Sequence, residues 1–172
     1  MKLHIGCCLA LSCLLLFGAG CGEDSPTAPD LKPTLSISLS DQAINAGDDG
    51  SLTIALKDID SDVFAMSVRI EYSTGILVVR EQDAFSLGGW FGADALSLLQ
   101  VEDGVIYLAV TRIASKGSEK ASGSVGEIAF HTQGSGQIDF IINHSDVRFV
   151  DANGQDVEVP DLAIGETTLV VE

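Results

Sequence analysis

The stretch VFAMSVRIEY, residues 63–72, decides the fold class. Phe64, Met66, Val68, Ile70 and Tyr72 fall on one side of an extended chain, and Ala65, Ser67, Arg69 and Glu71 fall on the other. Successive side chains of a strand point to opposite faces, so a period of two predicts a strand buried on one side only. The pattern recurs to the left. In TLSISLS (34–40), Leu35, Ile37 and Leu39 alternate with Ser36, Ser38 and Ser40; in SLTIALK (51–57), Leu52, Ile54 and Leu56 alternate with Thr53, Ala55 and Lys57. To the right, strands are expected at Ile76–Glu81, Leu96–Glu102, Val105–Arg112, Gly126–Thr132, Gln137–Asn143, Val147–Val150 and Thr167–Val171. Between them stand turn signals rich in Gly, Asn and Asp: NAGDDG (45–50), DIDSD (58–62), EDG (102–104), KGSEKASGS (116–124), GSG (134–136) and DANG (151–154). Many short strands punctuated this way specify a sandwich or a barrel. No long helical period is present, and Gln82–Phe85 or Phe91–Leu96 leaves room for a single helical turn.

The bulk numbers bound the rest. A chain of 172 residues allows one domain with appendages. Asp and Glu number 25 against 9 Lys and Arg, a formal net charge of −16. Nucleic-acid binding relies on cations that displace phosphate counterions, so this balance excludes nucleic acid as an expected partner. Hydrophobic residues make up 46% of the chain, too many for a disordered acidic tail. The cysteines stand at 7, 8, 13 and 21, which leaves the body without a disulfide framework or a thiolate metal site.

At the amino terminus, Lys2 precedes an apolar run from Ile5 to Phe17, shorter than the ~20 residues that cross a bilayer as a helix. Gly18, Ala19 and Gly20 follow, small residues of the kind a signal peptidase needs, so residues 1–20 read as an export signal. Gly-Ala-Gly-Cys resembles the bacterial lipobox, with Gly18 where Leu is usual. That resemblance implies a lipid on Cys21 and a domain held outside the cytoplasm at a bacterial membrane, in the envelope or at the cell surface. The alternative is an ordinary secretory signal with a free thiol. Residues 21–33, with Pro26, Pro29 and Pro33, read as a semi-rigid extended spacer. Residues 34–172 form the domain.

Two blocks of that domain carry a family resemblance. INAGDDGSLTIALKDIDSDVFAMSVRIEYSTGILVV (44–79) sets a Gly-Asp turn, an alternating strand, an acidic loop and a long strand ending in Tyr72. SGSVGEIAFHTQGSGQIDFIINHSDVRFVDANGQDV (122–157) adds a Gly-containing turn, an Ile-x-Phe strand and a later Asp-x-x-Gly hairpin. In this order the blocks resemble the cohesin family over residues 34–171. The resemblance implies an all-β, two-sheet sandwich of jelly-roll topology with about nine strands, related to some carbohydrate-binding modules. It also implies a non-enzymatic module that docks a protein partner, a dockerin-bearing one being the class the family suggests. Ser73 and Thr74 stand where Asp-Pro usually follows the Tyr, and Ala65 and Ser67 stand where cellulosomal cohesins often carry Asn and Asp.

In the family's sheet order, the outward residues of the third, sixth and eighth strands share one plateau. These are Ala65, Ser67 and Arg69, then Tyr107, Ala109 and Thr111, then Asp139, Ile141 and Asn143. Ser67, Arg69, Tyr107, Thr111, Asp139, Ile141 and Asn143 are the candidate partner contacts; Tyr and Arg are frequent hot-spot residues. Polysaccharide binding is the alternative function, with Trp90 in FSLGGWFG (85–92) offering a flat ring to a sugar. The competing role for Trp90 and Phe91 is to plug one end of the sandwich. DANGQD (151–156) lacks the Gly and Glu spacing of a calcium loop, so an Asn-Gly hairpin turn is expected there. No catalytic residue, cofactor or metal is expected: His131 and His144 accompany no recognisable nucleophile motif.

Overall fold

The computed structural model describes residues 32–80, 84–113 and 122–172. The export signal, Cys21, most of the spacer and Gln82 of the first expected helical turn lie outside the described residues. In chain order the strands are β1 (Thr34–Leu39), β2 (Ala43–Ile44), β3 (Asp49–Lys57), β4 (Ala65–Tyr72), β5 (Leu77–Val78), β6 (Phe85–Leu87) and β7 (Leu96–Glu102). They continue with β8 (Val105–Thr111), β9 (Gly123–Thr132), β10 (Gly136–Ile141), β11 (Val147–Val150), β12 (Ala163–Ile164) and β13 (Thr167–Val171). Among the described residues the one helical piece is a 3-10 turn, His144–Asp146.

Two sheets face each other as a jelly-roll sandwich. The first runs β12-β1-β3-β9-β5 with β6 also on β9, and the second runs β2-β13-β10-β4-β8-β7 with β11 also on β4. Pairing is antiparallel except for β1 with β12 and β2 with β13, which are parallel. The alternating sequence does what the pleat requires: Leu52, Ile54 and Leu56 of β3 and Met66, Val68 and Ile70 of β4 are all buried in one shared core. Burying each such side chain contributes about 1.5–3 kcal/mol, offset in large part by lost chain entropy.

Among the described residues thirteen strands stand where about nine were expected. Part of the excess is Ala43–Ile44, Phe85–Leu87 and Ala163–Ile164, two or three residues each. Segments so short show no period for a sequence reading to detect. The other ten each fall in a segment where a strand was expected, and two of them share one edge of β4. β11 covers Ala65–Val68 of β4 while β10 covers Glu71 and Tyr72, with the 3-10 turn between them. The expected strand through Asn143 therefore ends at Ile141, and Phe91–Leu96 forms no helical turn because β7 begins at Leu96.

β9 begins three residues earlier than its alternation suggested. Ile54 pairs with Gly126 and Ala55 with Ser124, so Val125 is an extra residue in a bulge that breaks the period. Val125 and Gly126 are consecutively buried as a result. A Cβ on Gly126 would lie 2.3 Å from the Phe85 ring, so glycine is the residue that lets β6 lie against β9.

Candidate functional site

The outward side of the seven-stranded sheet is where this chain departs from an ordinary solvated surface. Among the described residues the exposed large hydrophobic side chains are Leu96, Leu98, Tyr107, Ile113, Ile141 and Val170. Five stand on β7, β8, β10 and β13 of this sheet, and Ile113 follows two residues after β8. The outward side of the other sheet carries none of them.

Strand register places the sequence-derived candidates. Arg69 of β4 pairs across to Tyr107 of β8, Ser67 to Ala109, and Ala65 to Thr111, so Ser67, Arg69, Tyr107 and Thr111 share one surface. Ile141 lies beside Glu71 on the far flank of β4. Asp139 sits farther along β10 and pairs with Thr168 of β13, beyond the end of β4. Asn143 stands outside β10 as the residue capping the 3-10 turn. Its amide donates to Asp146 at 2.9 Å, so it braces the rim instead of projecting from the sheet.

The charged side chains of this surface have partners within the chain. Arg69 Nη1 donates to Glu71 Oε1 and lies 3.5 Å from Asp146 Oδ2. Hydrogen bonding to Glu71, and next to Tyr107, pushes the Arg69 guanidinium above its already high ordinary pKa. Asp139 is held below the usual carboxylate range by hydrogen bonds from Gln137 and then Thr168. Arg148 of β11 donates to Asp156 at 2.6 Å.

Sequence reasoning recognised β7 as a strand but missed its contribution to the surface. Leu96 and Leu98 are 61% and 66% exposed, whereas Leu99 and Val101 pack against the core. The signal was in LSLLQVE (96–102), which places apolar residues in both phases of the alternation. A strand buried on one side needs only one such phase, and the second is here left exposed as Leu96 and Leu98.

Of the two roles expected for Trp90, burial leaves the plug and removes the sugar platform. Its ring is 2% exposed and meets Phe91 edge-on at 4.7 Å. The Arg112 guanidinium lies 5.5 Å from the ring centre and donates to the Trp90 carbonyl at 2.8 Å. A polysaccharide has no access to a ring enclosed in this way. At 151–154 the expected turn is present: Gly154 takes a φ of +79°, and Asp151 accepts from the backbone N–H groups of Asn153 and Gln155 at 2.8 Å each. Among the described residues no group of three or more His, Cys, Asp or Glu could hold a metal ion, and no helix is long and apolar enough to cross a membrane.

The model of the Cohesin domain family matches residues 33–169. The chain belongs to the cohesin-domain family. A non-cellulosomal cohesin from the hyperthermophilic archaeon Archaeoglobus fulgidus superposes with a TM-score of 0.64 at 18% identity, over 82% of this chain and 91% of that one. A type II cohesin from Acetivibrio cellulolyticus, in a cohesin–X–dockerin complex, gives 0.66 at 11% identity over 82% and 100%. A cohesin module of a Clostridium perfringens family 33 glycoside hydrolase gives 0.63 at 11% identity over 83% and 96%. These likenesses establish a shared fold. No curated protein matches the chain in sequence.

Proposed function

We propose that this cohesin is a docking module whose seven-stranded sheet binds a protein partner through its outward side, and that the partner carries a dockerin. The observation that carries the reading is the concentration of exposed Leu96, Leu98, Tyr107, Ile113, Ile141 and Val170 on or beside that one surface. A single-sided apolar patch fits an interface better than general solvation does. Support for a dockerin comes from the family and from the Acetivibrio cellulolyticus relative, which is in complex with one. We further propose that Cys21 is acylated and that residues 22–33 hold the domain off a bacterial membrane on its extracytoplasmic side, since more than one acyl chain is needed for stable anchoring.

The test is capture of purified dockerin-bearing proteins from the source organism on the immobilised chain, with calcium and with chelator. Calcium-dependent capture that is lost in Leu98→Asp supports the reading. Capture unaffected by that change and by Ile141→Asp sinks it. Incorporation of a fatty-acid probe, abolished in Cys21→Ala, tests the anchor separately.

A further inference from the structure

The two sheets end in strands of unequal length. β12 at one end of the first sheet, β5 and β6 at its other end, and β2 at one end of the second are two or three residues each, whereas β7 closes the second sheet with seven. An outermost strand presents a row of unpaired N–H and C=O groups, and natural sheets blunt it with shortness, lysine, proline or a bulge. β7 (LSLLQVE) uses none of these: it holds no Lys and no Pro, its register with β8 is unbroken, and its one charge, Glu102, is its last residue. Among the described residues no strand besides β8 pairs with it.

The turn after β7 fixes which backbone groups face outward along the edge. Asp103 and Gly104 form a two-residue connection closed by the pair Glu102 and Val105. The pair closing such a turn exchanges both backbone hydrogen bonds, and the exchange recurs at every second pair of an antiparallel ladder. Gln100, Leu98 and Leu96 therefore bond to Tyr107, Ala109 and Thr111, while Ser97 and Leu99 turn their N–H and C=O groups away from β8. Val101 shares their phase and is already engaged. The Ala95 N–H turns back to the Gly92 carbonyl at 3.4 Å. That leaves Ser97 and Leu99 to pair, with the exposed Leu98 between them.

We infer that the edge of β7 pairs with β7 of a second copy of this chain, antiparallel and centred on Leu98, so that two seven-stranded sheets join edge to edge. A second copy is the occupant this edge specifies, because two donor–acceptor residues flanking a leucine complement themselves when turned end for end. Ser97 of each copy then faces Leu99 of the other, and every outward group of both residues is bonded. A register moved by two residues either way would call on Ala95 or Val101. Leu98 meets its own counterpart in a non-hydrogen-bonded pair, the type with Cα atoms ~4.5 Å apart and side chains closest. Leu96 falls opposite Gln100 and diagonal to Leu98 of the other copy, so both leucines leave water together. Against this, Asp94 falls opposite Glu102, and each chain carries a net charge of −16. Like charges set opposite each other destabilise a pair, so association is weak at low ionic strength and tightens as salt screens it. The edge of β7 carries this inference, independently of what docks on the outward side of the sheet.

The test follows association of the full chain by sedimentation equilibrium at millimolar concentration. Dimers are expected, with association about tenfold stronger at ~0.5 M salt than at ~0.05 M. Ser97→Pro removes an outward donor and no bond to β8, a change that an edge strand tolerates. It should weaken association about tenfold or more, and Leu98→Lys, which sets two cations face to face, should do the same if the Pro variant folds poorly. The register is read by cysteine cross-linking under mild oxidation, with peptide mapping of the bonds formed. Leu98→Cys should join to itself, Leu96→Cys should not, and Leu96→Cys mixed with Gln100→Cys should join. A chain that stays monomeric in high salt, association untouched by both Ser97→Pro and Leu98→Lys, or equal cross-linking in every combination would overturn the inference. Ser97 does not stand on the outward side of the sheet, so partner capture by the Ser97→Pro chain judges docking separately from self-association.

Discussion

The outward sides of the two sheets are made by the same kind of alternating strand, yet they do different things. On the first sheet the outward positions include Ser36, Ser38, Thr53, Ala55, Lys57, Glu127 and His131, short or polar side chains with no exposed large apolar group among them. On the second they include Leu96, Leu98, Tyr107 and Ile141. Both sheets bury their inner sides equally well, so the contrast owes nothing to folding. Water is an adequate neighbour for serine and threonine, whereas exposed leucines lose about 25 cal/mol per Å² by staying in it. This is the observation on which the proposed docking surface rests.

That contrast predicts that changes on the second sheet alter affinity and leave stability alone, and that changes around the first do the reverse. The largest separation is expected between Leu98→Asp and Thr53→Asp. Leu98→Asp should weaken partner binding about 30-fold or more, in line with loss of a buried aliphatic anchor, while Thr53→Asp should leave it unchanged in calorimetric titration. Equal losses from both would erase the distinction. Next, Gly126→Ala forces a Cβ against the Phe85 ring and the Ser86 carbonyl. Overpacking of this kind costs about 1–3 kcal/mol, which urea unfolding would register with no change in affinity. Arg112→Met removes the cation from Trp90 and Phe91 together with the hydrogen bond to the Trp90 carbonyl. A loss of about 1–2 kcal/mol on thermal unfolding is expected, again with docking intact.

The smallest effect concerns Asp139, whose folded pKa lies below its ordinary value. A lowered carboxylate stabilises the folded state at pH values above the unfolded pKa, near 3.9, and loses that contribution as the pH falls through the folded value. Thr168→Val removes one of the two hydrogen bonds, so the carboxyl resonance of Asp139 should titrate at higher pH than in the parent. An unchanged midpoint would mean that Thr168 does not share the proton balance.

What could be read in advance follows from periodicity. AMSVRIEY (65–72) and SLTIALK keep one phase throughout, so their inward residues and the two-layer plan were legible, whereas Val63, ahead of the strand, is buried out of phase and Phe64 is only half-buried. The strands at Ala43, Phe85 and Ala163 were not, because two or three residues do not display a period. β9 was misjudged at its start because the bulge at Val125 resets the phase. The surface was half legible: Ser67, Arg69, Tyr107 and Thr111 follow from a single alternation each. Asn143 was displaced because a 3-10 turn ends its strand early. Leu96 and Leu98 were passed over because their strand looked ordinary until its second apolar phase was set against the register of β8. The burial of Trp90 depended on Arg112, which is 22 residues away in sequence.

The two parallel pairings have a mechanical consequence. β1 is gripped by β3 along six residue pairs and also by β12 running the same way. Tension arriving through Pro33 would be directed along β1, so that its ladder bonds, which lie across the strand, would be loaded in shear and resist together. At the other terminus β13 is flanked by β2 and β10, so pulling on Glu172 also meets a strand held on both sides. Whichever of these two strands is pulled, it is held on both sides by its own sheet.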